Sequence, residues 1–215
     1  MRTTQKSGIS TLAGLLLILT LITCGTATPS QEVASPLPDA TSASPLVEGP
    51  EPISAEEHFR QGNEFSQAAE FEQAAEEYRK VLELEPQNVD AMTNLGVAYY
   101  NLGKLDEAVE QYRKALTIAP SDADIHSNLA AAYVQKYQLS GASEQLDQAL
   151  AEYQTAVGLT PDLPEAHFGL GAVYLLLGRN KDALQAFETF LDLDTGKDPV
   201  ATDNAKEYIK QLRGQ

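Results

Sequence analysis

One unit of sequence repeats four times between residues 55 and 197, and this repetition restricts the fold more than any other feature. Aligning the chain on Pro86, Pro120 and Pro161 gives spacings of 34 and 41 residues. A unit of this length cannot bury its apolar side alone and does so by stacking on its neighbours, so the sequence predicts a solenoid. Numbering each unit from its first residue, and leaving seven extra residues of the third unit out of the count, places small residues at positions eight and twenty and aromatic residues at positions eleven and twenty-four: Gly62, Gly96, Ala130, Gly171; Ala74, Ala108, Ala149, Ala183; Phe65, Tyr99, Tyr133, Tyr174; Tyr78, Tyr112, Tyr153, Phe187.

Each unit divides into two helices that are expected to pack antiparallel. The small residues let the two helices approach closely, the aromatic residues fill the space between neighbouring pairs, and the proline ends the second helix. The sequence therefore predicts an all-α fold. The expected units are 55–88, 89–122, 123–163 and 164–197.

The second unit carries the clearest motif. Its first helix contains Asn94-Leu95-Gly96-Val97-Ala98-Tyr99, and its second half carries Ala108, Tyr112, Ala115 and Pro120. This pattern resembles the tetratricopeptide repeat (TPR) family, and the resemblance covers about two thirds of the chain. It implies a right-handed superhelical solenoid of four helix-turn-helix repeats.

The segment 198–215 is predicted to be a C-terminal capping helix. Asp198 offers a cap and Pro199 a first helical residue, and an apolar stripe follows. The fourth unit departs from the family pattern at three positions, so it is expected to pack against something other than another repeat. The stripe consists of Ala201, Ala205, Tyr208, Ile209 and Leu212, and the departures are Asn180, Phe190 and Thr195.

The N-terminus is predicted to be an export signal. Arg2 and Lys6 precede an uncharged, largely apolar stretch, and Leu21-Ile22-Thr23-Cys24-Gly25 resembles a bacterial lipoprotein cleavage box. The resemblance implies lipidation of Cys24, with an uncleaved membrane anchor or ordinary cleavage after Ala27 as alternatives. All three place the remainder outside the cytoplasm, at the periplasm or cell surface. Residues 1–24 are predicted to be this signal, and 25–54 are predicted to be a disordered linker rich in Pro, Ser and Thr.

Charge restricts the partners. The chain has 15 Lys and Arg against 31 Asp and Glu, and its formal net charge is −16. Phosphate repels such a chain, so nucleic acid is excluded as a partner and membrane contact is expected through the N-terminus only. A protein or peptide partner is expected to be neutral to basic.

No motif for chemistry appears in the sequence. His58, His126 and His167 all fall at position four, about 10 Å apart per unit, which is too far for shared metal ligation and favours a packing role. No phosphate loop, nucleophile motif or helical His-Glu metal motif is present. The sequence therefore predicts no enzyme, no catalytic residue, no metal and no cofactor.

The first helices are expected to line a concave groove. The TPR resemblance implies that positions two, five, six, nine, twelve and thirteen point into it, where amides suit a peptide backbone and apolar side chains contribute affinity. Of the clamp with which chaperone-tail-binding TPR proteins hold a carboxylate, only Asn63 and Asn94 match. The predicted partner-binding residues are Phe59, Asn63, Thr93, Asn94, Val97, Tyr100, Asn101, Ser127, Asn128, Phe168 and Leu175, with acids at position two in Glu56, Asp90, Asp124 and Glu165.

Three functions follow from this reading. A non-enzymatic interaction scaffold tethered at the outer face of a bacterial membrane is preferred. An envelope module that binds a small ligand, lipid or glycan, is the alternative, and self-association is the third option. The seven extra residues of the third unit are expected to lengthen both of its helices by about one turn. They are either a tolerated insertion or a partner contact through Tyr137 and Leu139.

Overall fold

The computed structural model describes residues 53–196 and 198–214, and its regular elements there are nine α-helices. The predicted export signal, Cys24 and nearly all of the predicted linker lie outside these residues. The helices are α1 Ala55–Gln67, α2 Phe71–Leu84, α3 Val89–Asn101, α4 Leu105–Ile118, α5 Ala123–Ser140, α6 Ser143–Leu159, α7 Pro164–Leu176, α8 Asn180–Leu193 and α9 Pro199–Arg213.

The helices pair as four hairpins, α1 with α2, α3 with α4, α5 with α6 and α7 with α8. Each hairpin packs on the next through its second helix, and α9 packs on α8. This arrangement confirms the predicted all-α solenoid of four repeats with a C-terminal capping helix. No helix in the described part of the chain is both long and apolar enough to cross a membrane.

Side chains fix where several helices begin. The Ser54 hydroxyl accepts from the Glu57 backbone N–H at 3.2 Å, and Asn88 Oδ1 accepts from the Ala91 N–H at 2.9 Å. Such bonds satisfy backbone donors that have no partner inside the helix. Asp198 accepts from the Val200 N–H at 3.0 Å, as its predicted capping role requires.

An aromatic ring against a glycine sets the distance between the two helices of a repeat. A Cβ at Gly62 would lie 2.7 Å from Cε1 of Tyr78, and a Cβ at Gly96 would lie 2.6 Å from Cε1 of Tyr112. In the fourth repeat Phe187 occupies the same place over the glycine at position eight. Only a residue without Cβ permits this approach, so the two positions are coupled by packing.

The third repeat solves the same packing problem differently. It carries Ala130 at position eight, and its ring at position twenty-four, Tyr153, lies against Gly169 of the next repeat. A Cβ at Gly169 would lie 2.2 Å from Cζ and 2.6 Å from the hydroxyl oxygen of Tyr153. The methyl group at Ala130 is thus matched by a missing side chain at Gly169, in the neighbouring unit.

The capping helix completes the fourth repeat. Tyr208 of α9 stacks on Phe187 with ring centroids 5.2 Å apart, and Phe190 packs edge-on against Phe168 at the same centroid distance. Phe190, Ala205 and Ile209 belong to one buried cluster. The aromatic residue at position twenty-seven of the fourth unit therefore lies in the same buried cluster as residues of α9, which fits the prediction that this unit packs against something other than a repeat.

The extra residues of the third repeat lengthen both helices, as expected. α5 has 18 residues where the other first helices have 13, and α6 has 17 where the other second helices have 14. The turn between them contains Gly141, whose φ of 70° is left-handed. Tyr137 is half-buried near this turn, whereas the Leu139 side chain is 76% exposed.

The Tyr153 contact predicts opposite effects for two glycine substitutions. Gly169→Ala is expected to lower the free energy of unfolding by about 1–3 kcal/mol, because the added methyl group overlaps the Tyr153 ring. Gly158→Ala, in the exposed end of α6 with nothing within 4 Å of the added atom, is expected to raise it by about 0.5 kcal/mol. Urea denaturation measures both, and equal effects would contradict the assigned contact.

Candidate partner-binding groove

The four first helices form one continuous face of the solenoid. α3 contacts α5 and α5 contacts α7, in addition to the contacts each makes with its neighbours along the chain. Asn94 Nδ2 donates to Asn63 Oδ1 at 3.2 Å and so joins α3 to α1. Residues at equivalent positions of the four helices therefore lie side by side on this face.

The predicted groove residues differ in depth. Asn101 is exposed. Val97, Tyr100 and Phe168 are only 5%, 4% and 7% exposed, so these three side chains form the floor of the groove. Half-buried side chains make up the rest: Phe59, Asn63, Thr93, Asn94, Ser127, Asn128 and Leu175. Binding of a partner by any of them stays a prediction.

Two of the polar groove residues bond to their own helix. The Thr93 hydroxyl donates to the Val89 carbonyl at 2.9 Å, and Asn101 Nδ2 donates to the Val97 carbonyl at 2.9 Å. The Asn101 Oδ1 atom is an acceptor that these bonds do not use. This face therefore has fewer hydrogen-bond donors available to a partner than the number of its polar side chains suggests.

Asn63 holds the groove together between the first two repeats. Its Oδ1 accepts from the Tyr78 hydroxyl at 2.8 Å as well as from Asn94. Asn63 and Asn94 are the two residues that match the carboxylate clamp of chaperone-tail-binding proteins. Here the contact between them, and the phenol behind them, gives both a structural role.

Three tyrosines lie beneath the central part of the groove. Burial raises the pKa of Tyr100, Tyr112 and Tyr153, and the proximity of Tyr100 adds to the rise for the other two. All three phenols are therefore neutral at physiological pH and keep a hydrogen that is able to be donated. Tyr112 and Tyr153 belong to the buried core, where the sequence also placed them.

The edge of the groove is acidic. Burial raises the pKa of the Asp124 carboxyl group, and the nearby carboxylates of Asp122 and Glu165 add to the rise. The first helices contain two basic residues with full charges, and both are neutralised: Arg60 by Glu57 and Glu64, and Lys136 by Asp106.

The fourth repeat makes one end of the groove apolar. Its position six is Gly169, where the second and third repeats carry asparagine, and its position nine is Ala172. Phe168 and the half-buried Leu175 flank these small residues along the chain. The groove thus changes from amides in the first three repeats to apolar side chains in the fourth.

Comparison with known families decides the class of this fold. Models described as tetratricopeptide repeat match residues 59–123, 103–154 and 164–196, and one described as TPR repeat matches residues 142–178. Together they cover the four hairpins from Phe59 to Gly196. The chain belongs to the tetratricopeptide repeat family. No curated protein sequence matches it significantly.

Solved TPR structures show the same fold. TTC0263, a thermophilic TPR protein of Thermus thermophilus, is 22% identical, with a TM-score of 0.63 over 74% of this chain and 81% of that one. YrrB, a TPR protein with an unusual peptide-binding site, is 25% identical, with a TM-score of 0.57 over 75% and 77%. A mutant O-GlcNAc transferase of Thermobaculum terrenum is 22% identical, with a TM-score of 0.56 over 65% of this chain and 25% of that one.

The histidines of this TPR solenoid form hydrogen bonds, which the predicted packing role did not include. Burial opposes ionisation of Glu77, but hydrogen bonds from Lys80 and His58 outweigh it and lower its pKa. In the part of the chain that the structure describes, no group of three or more His, Cys, Asp or Glu side chains is arranged to hold a metal ion. The contacts join Nδ1 of His58 to Glu77 and Nδ1 of His126 to Glu152, both at 2.6 Å, and Nε2 of His167 to the Pro161 carbonyl at 2.8 Å.

The substitution Tyr78→Phe tests the hydrogen bond between the Tyr78 hydroxyl and Asn63 of the TPR groove. The substitution keeps the ring over Gly62 but removes the donor to Asn63, so the free energy of unfolding is expected to fall by about 1 kcal/mol. Urea denaturation followed by circular dichroism measures it. Tyr174→Phe is the control, because the Tyr174 hydroxyl accepts a longer and exposed bond from Gln154 at 3.4 Å. A larger loss in the control would contradict the structural role of Asn63.

Proposed function

We propose that this TPR protein is a non-enzymatic scaffold that binds a segment of a partner protein along its concave groove. One observation carries the proposal: the first helices present a continuous face whose half-buried amides, hydroxyls and apolar side chains lie next to one another across four repeats. Tetratricopeptide solenoids serve as protein-interaction scaffolds, and the YrrB structure is described as having a peptide-binding site. Repetition of the face favours an extended or helical segment over a globular surface patch.

The partner is proposed to be neutral to basic. Position two carries a carboxylate in every repeat, in Glu56, Asp90, Asp124 and Glu165. The two basic residues of the first helices are already paired within the chain. A peptide with Lys or Arg along this edge gains attraction, whereas an acidic peptide or a terminal carboxylate is repelled.

We infer that the protein is not itself an enzyme. The three histidines, which are the side chains best suited to proton transfer at neutral pH, are each hydrogen-bonded to another part of the chain. They stand at equivalent positions of different repeats and so do not converge on one point.

The scaffold is further proposed to act outside the cytoplasm, tethered to a bacterial membrane. The basic N-terminus, the apolar stretch and Cys24 in a lipoprotein-like cleavage sequence support this placement. The linker that follows, rich in Pro, Ser and Thr, would separate the solenoid from the membrane surface.

Crosslinking from the two faces tests groove binding. Photo-crosslinking residues at Asn101 and Asn128 on the groove, introduced in cells that make the protein, are expected to capture the same discrete protein. Glu110 and Asp147, exposed on second helices α4 and α6, are the matched controls and are expected not to capture it. Capture from the control positions alone would contradict groove binding, and the crosslinked species are identified by mass spectrometry.

Lipidation of Cys24 is expected to place the protein in the membrane fraction. Metabolic labelling with an alkyne fatty acid is expected to mark the wild-type chain and to fail for Cys24→Ser, which should also lose the faster migration of a cleaved lipoprotein. Membrane association that survives Cys24→Ser without label would instead support the uncleaved anchor. Release of both proteins in soluble form would support ordinary cleavage.

The apolar end of the groove favours one second candidate, an envelope module that holds a lipid or glycan. Phe168 and Leu175 offer such a ligand apolar contact, whereas the space beside Gly169 is filled by the Tyr153 ring. Native mass spectrometry of the purified protein detects a retained small molecule. Its presence, together with crosslinking from neither face, would favour this candidate over the scaffold.

A further inference from the structure

Two buried polar atoms near the groove lack a hydrogen-bond partner in the described part of the chain. They are the hydroxyl oxygen of Tyr112 and Oε1 of Gln135. Buried polar groups in folded proteins are almost always paired, because an unpaired one loses its bond to water and gains nothing in return. An unpaired donor and an unpaired acceptor in neighbouring repeats therefore call for an explanation.

The Tyr112 ring is placed like the Tyr78 ring, whose hydroxyl reaches the groove face. The Tyr112 ring lies over Gly96 as the Tyr78 ring lies over Gly62: a Cβ would be 2.6 and 2.8 Å from Cε1 and Cδ1 in the first case, and 2.7 and 2.9 Å in the second. In the first repeat the hydroxyl reaches Asn63, at position nine of the groove face. In the second repeat position nine is Val97, whose side chain has no polar atom. The Tyr112 hydroxyl therefore has no side-chain acceptor at the position that supplies one to Tyr78.

Gln135 lies on the adjacent helix of the same face. It occupies position thirteen of α5, and Asn128 occupies position six. Seven residues of helix extend about 10 Å, which is two turns, so the two side chains share one side of α5. An extended peptide that runs along α5 covers the distance from Asn128 to Gln135 with about three residues.

We propose that the part of the groove between α3 and α5 binds the main chain of an extended peptide. The Tyr112 hydroxyl donates to a peptide carbonyl oxygen, which takes the place that Asn63 Oδ1 holds in the first repeat. Gln135 Oε1 accepts from a peptide N–H farther along the same strand. The inference rests on the proposed scaffold function, and it names the chemical group of the partner that the groove recognises.

Main-chain recognition fits the surroundings of these two atoms. A peptide unit supplies both an acceptor and a donor, which is what the two orphan groups require. Asp90 and Asp124, at the start of α3 and α5, favour Lys or Arg among the peptide side chains. Tyr100 is close enough to Tyr112 to affect its ionisation, and it is buried at the groove floor. Its side chain is expected to move when a carbonyl oxygen reaches the covered Tyr112 hydroxyl.

Peptide selection with the full chain tests the proposal. The probe is a random heptapeptide library, acetylated and amidated at its ends so that no terminal charge contributes. Affinities of the selected peptides are then measured by fluorescence anisotropy for the wild type, Tyr112→Phe and Gln135→Leu. Each substitution is expected to weaken binding about tenfold. Tyr112→Phe is also expected to leave the melting temperature unchanged or a few degrees higher, because it removes an unpaired buried group.

Two controls separate main-chain recognition from a change in stability. Tyr133→Phe makes the same chemical change at a hydroxyl that already accepts from Arg113 at 2.6 Å, and it is expected to leave peptide affinity unchanged. In the second control, each amide of a selected peptide is N-methylated in turn, and the wild type is expected to lose affinity for the peptide methylated at one particular position. For Gln135→Leu, methylation at that position is expected to cause no further loss.

The outcomes distinguish the proposal from the function on which it rests. If selected peptides bind Tyr112→Phe within twofold of the wild type, an internal water satisfies the hydroxyl and the proposal is wrong, although the scaffold function stands. Failure of the wild type to select any peptide would overturn both. Weakening by Tyr112→Phe at an unreduced melting temperature, with no effect of Tyr133→Phe, supports the proposal.

Discussion

The close contact between an aromatic ring and a glycine is the interaction on which this solenoid depends. With a ring at position twenty-four and no side chain at position eight, the two helices of a repeat approach until their backbones are separated by little more than the ring itself. Tyr78, Tyr112 and Phe187 each make this contact, and none of the three is measurably exposed. Phe187 also stacks on Tyr208 of α9, so the residue at position twenty-four there sets both the distance within its hairpin and the packing of the next helix.

The groove inherits its chemistry from this core. A tyrosine of the core places its hydroxyl beneath the concave face. The residue at position nine determines whether that hydroxyl finds a hydrogen-bond acceptor. Asn63 Oδ1 accepts hydrogen bonds from both the Tyr78 hydroxyl and Asn94 Nδ2, which links the first two repeats through polar side chains. Val97 cannot do so for Tyr112. The side chain at position nine therefore distinguishes the two repeats. In the first it gives the phenol a structural hydrogen bond, and in the second it leaves the hydroxyl for the proposed recognition of a peptide, although the two rings are placed alike.

Much of the fold was predictable from the sequence, because small and aromatic residues at fixed positions describe contacts that recur in every repeat. The repeat length predicted the helical hairpins, and the departures of the fourth unit from the family pattern indicated a packing partner such as α9. The seven extra residues of the third unit predicted the lengthened α5 and α6. The site was predictable only in direction. A position number says which way a side chain points but not how deeply its neighbours cover it, so the burial of Val97, Tyr100 and Phe168 could not be read from the pattern. The bonds of His58 and His126 to glutamates depend on residues 19 and 26 positions away, beyond the reach of local reasoning.

The exchange between Ala130 and Gly169 has a consequence for how such a chain can evolve. Repeat arrays change length when recombination between similar units deletes or duplicates one of them, and this is tolerated while every unit fits every neighbour. Here the third repeat needs a neighbour without a side chain at position six, and only the fourth repeat has one. A copy of the second or third unit in place of the fourth would set Tyr153 against an asparagine, and loss of the third would leave Gly169 beside an empty space. A change in either of these two repeats therefore has to be matched by a change in the other, which restricts how the array can gain or lose units.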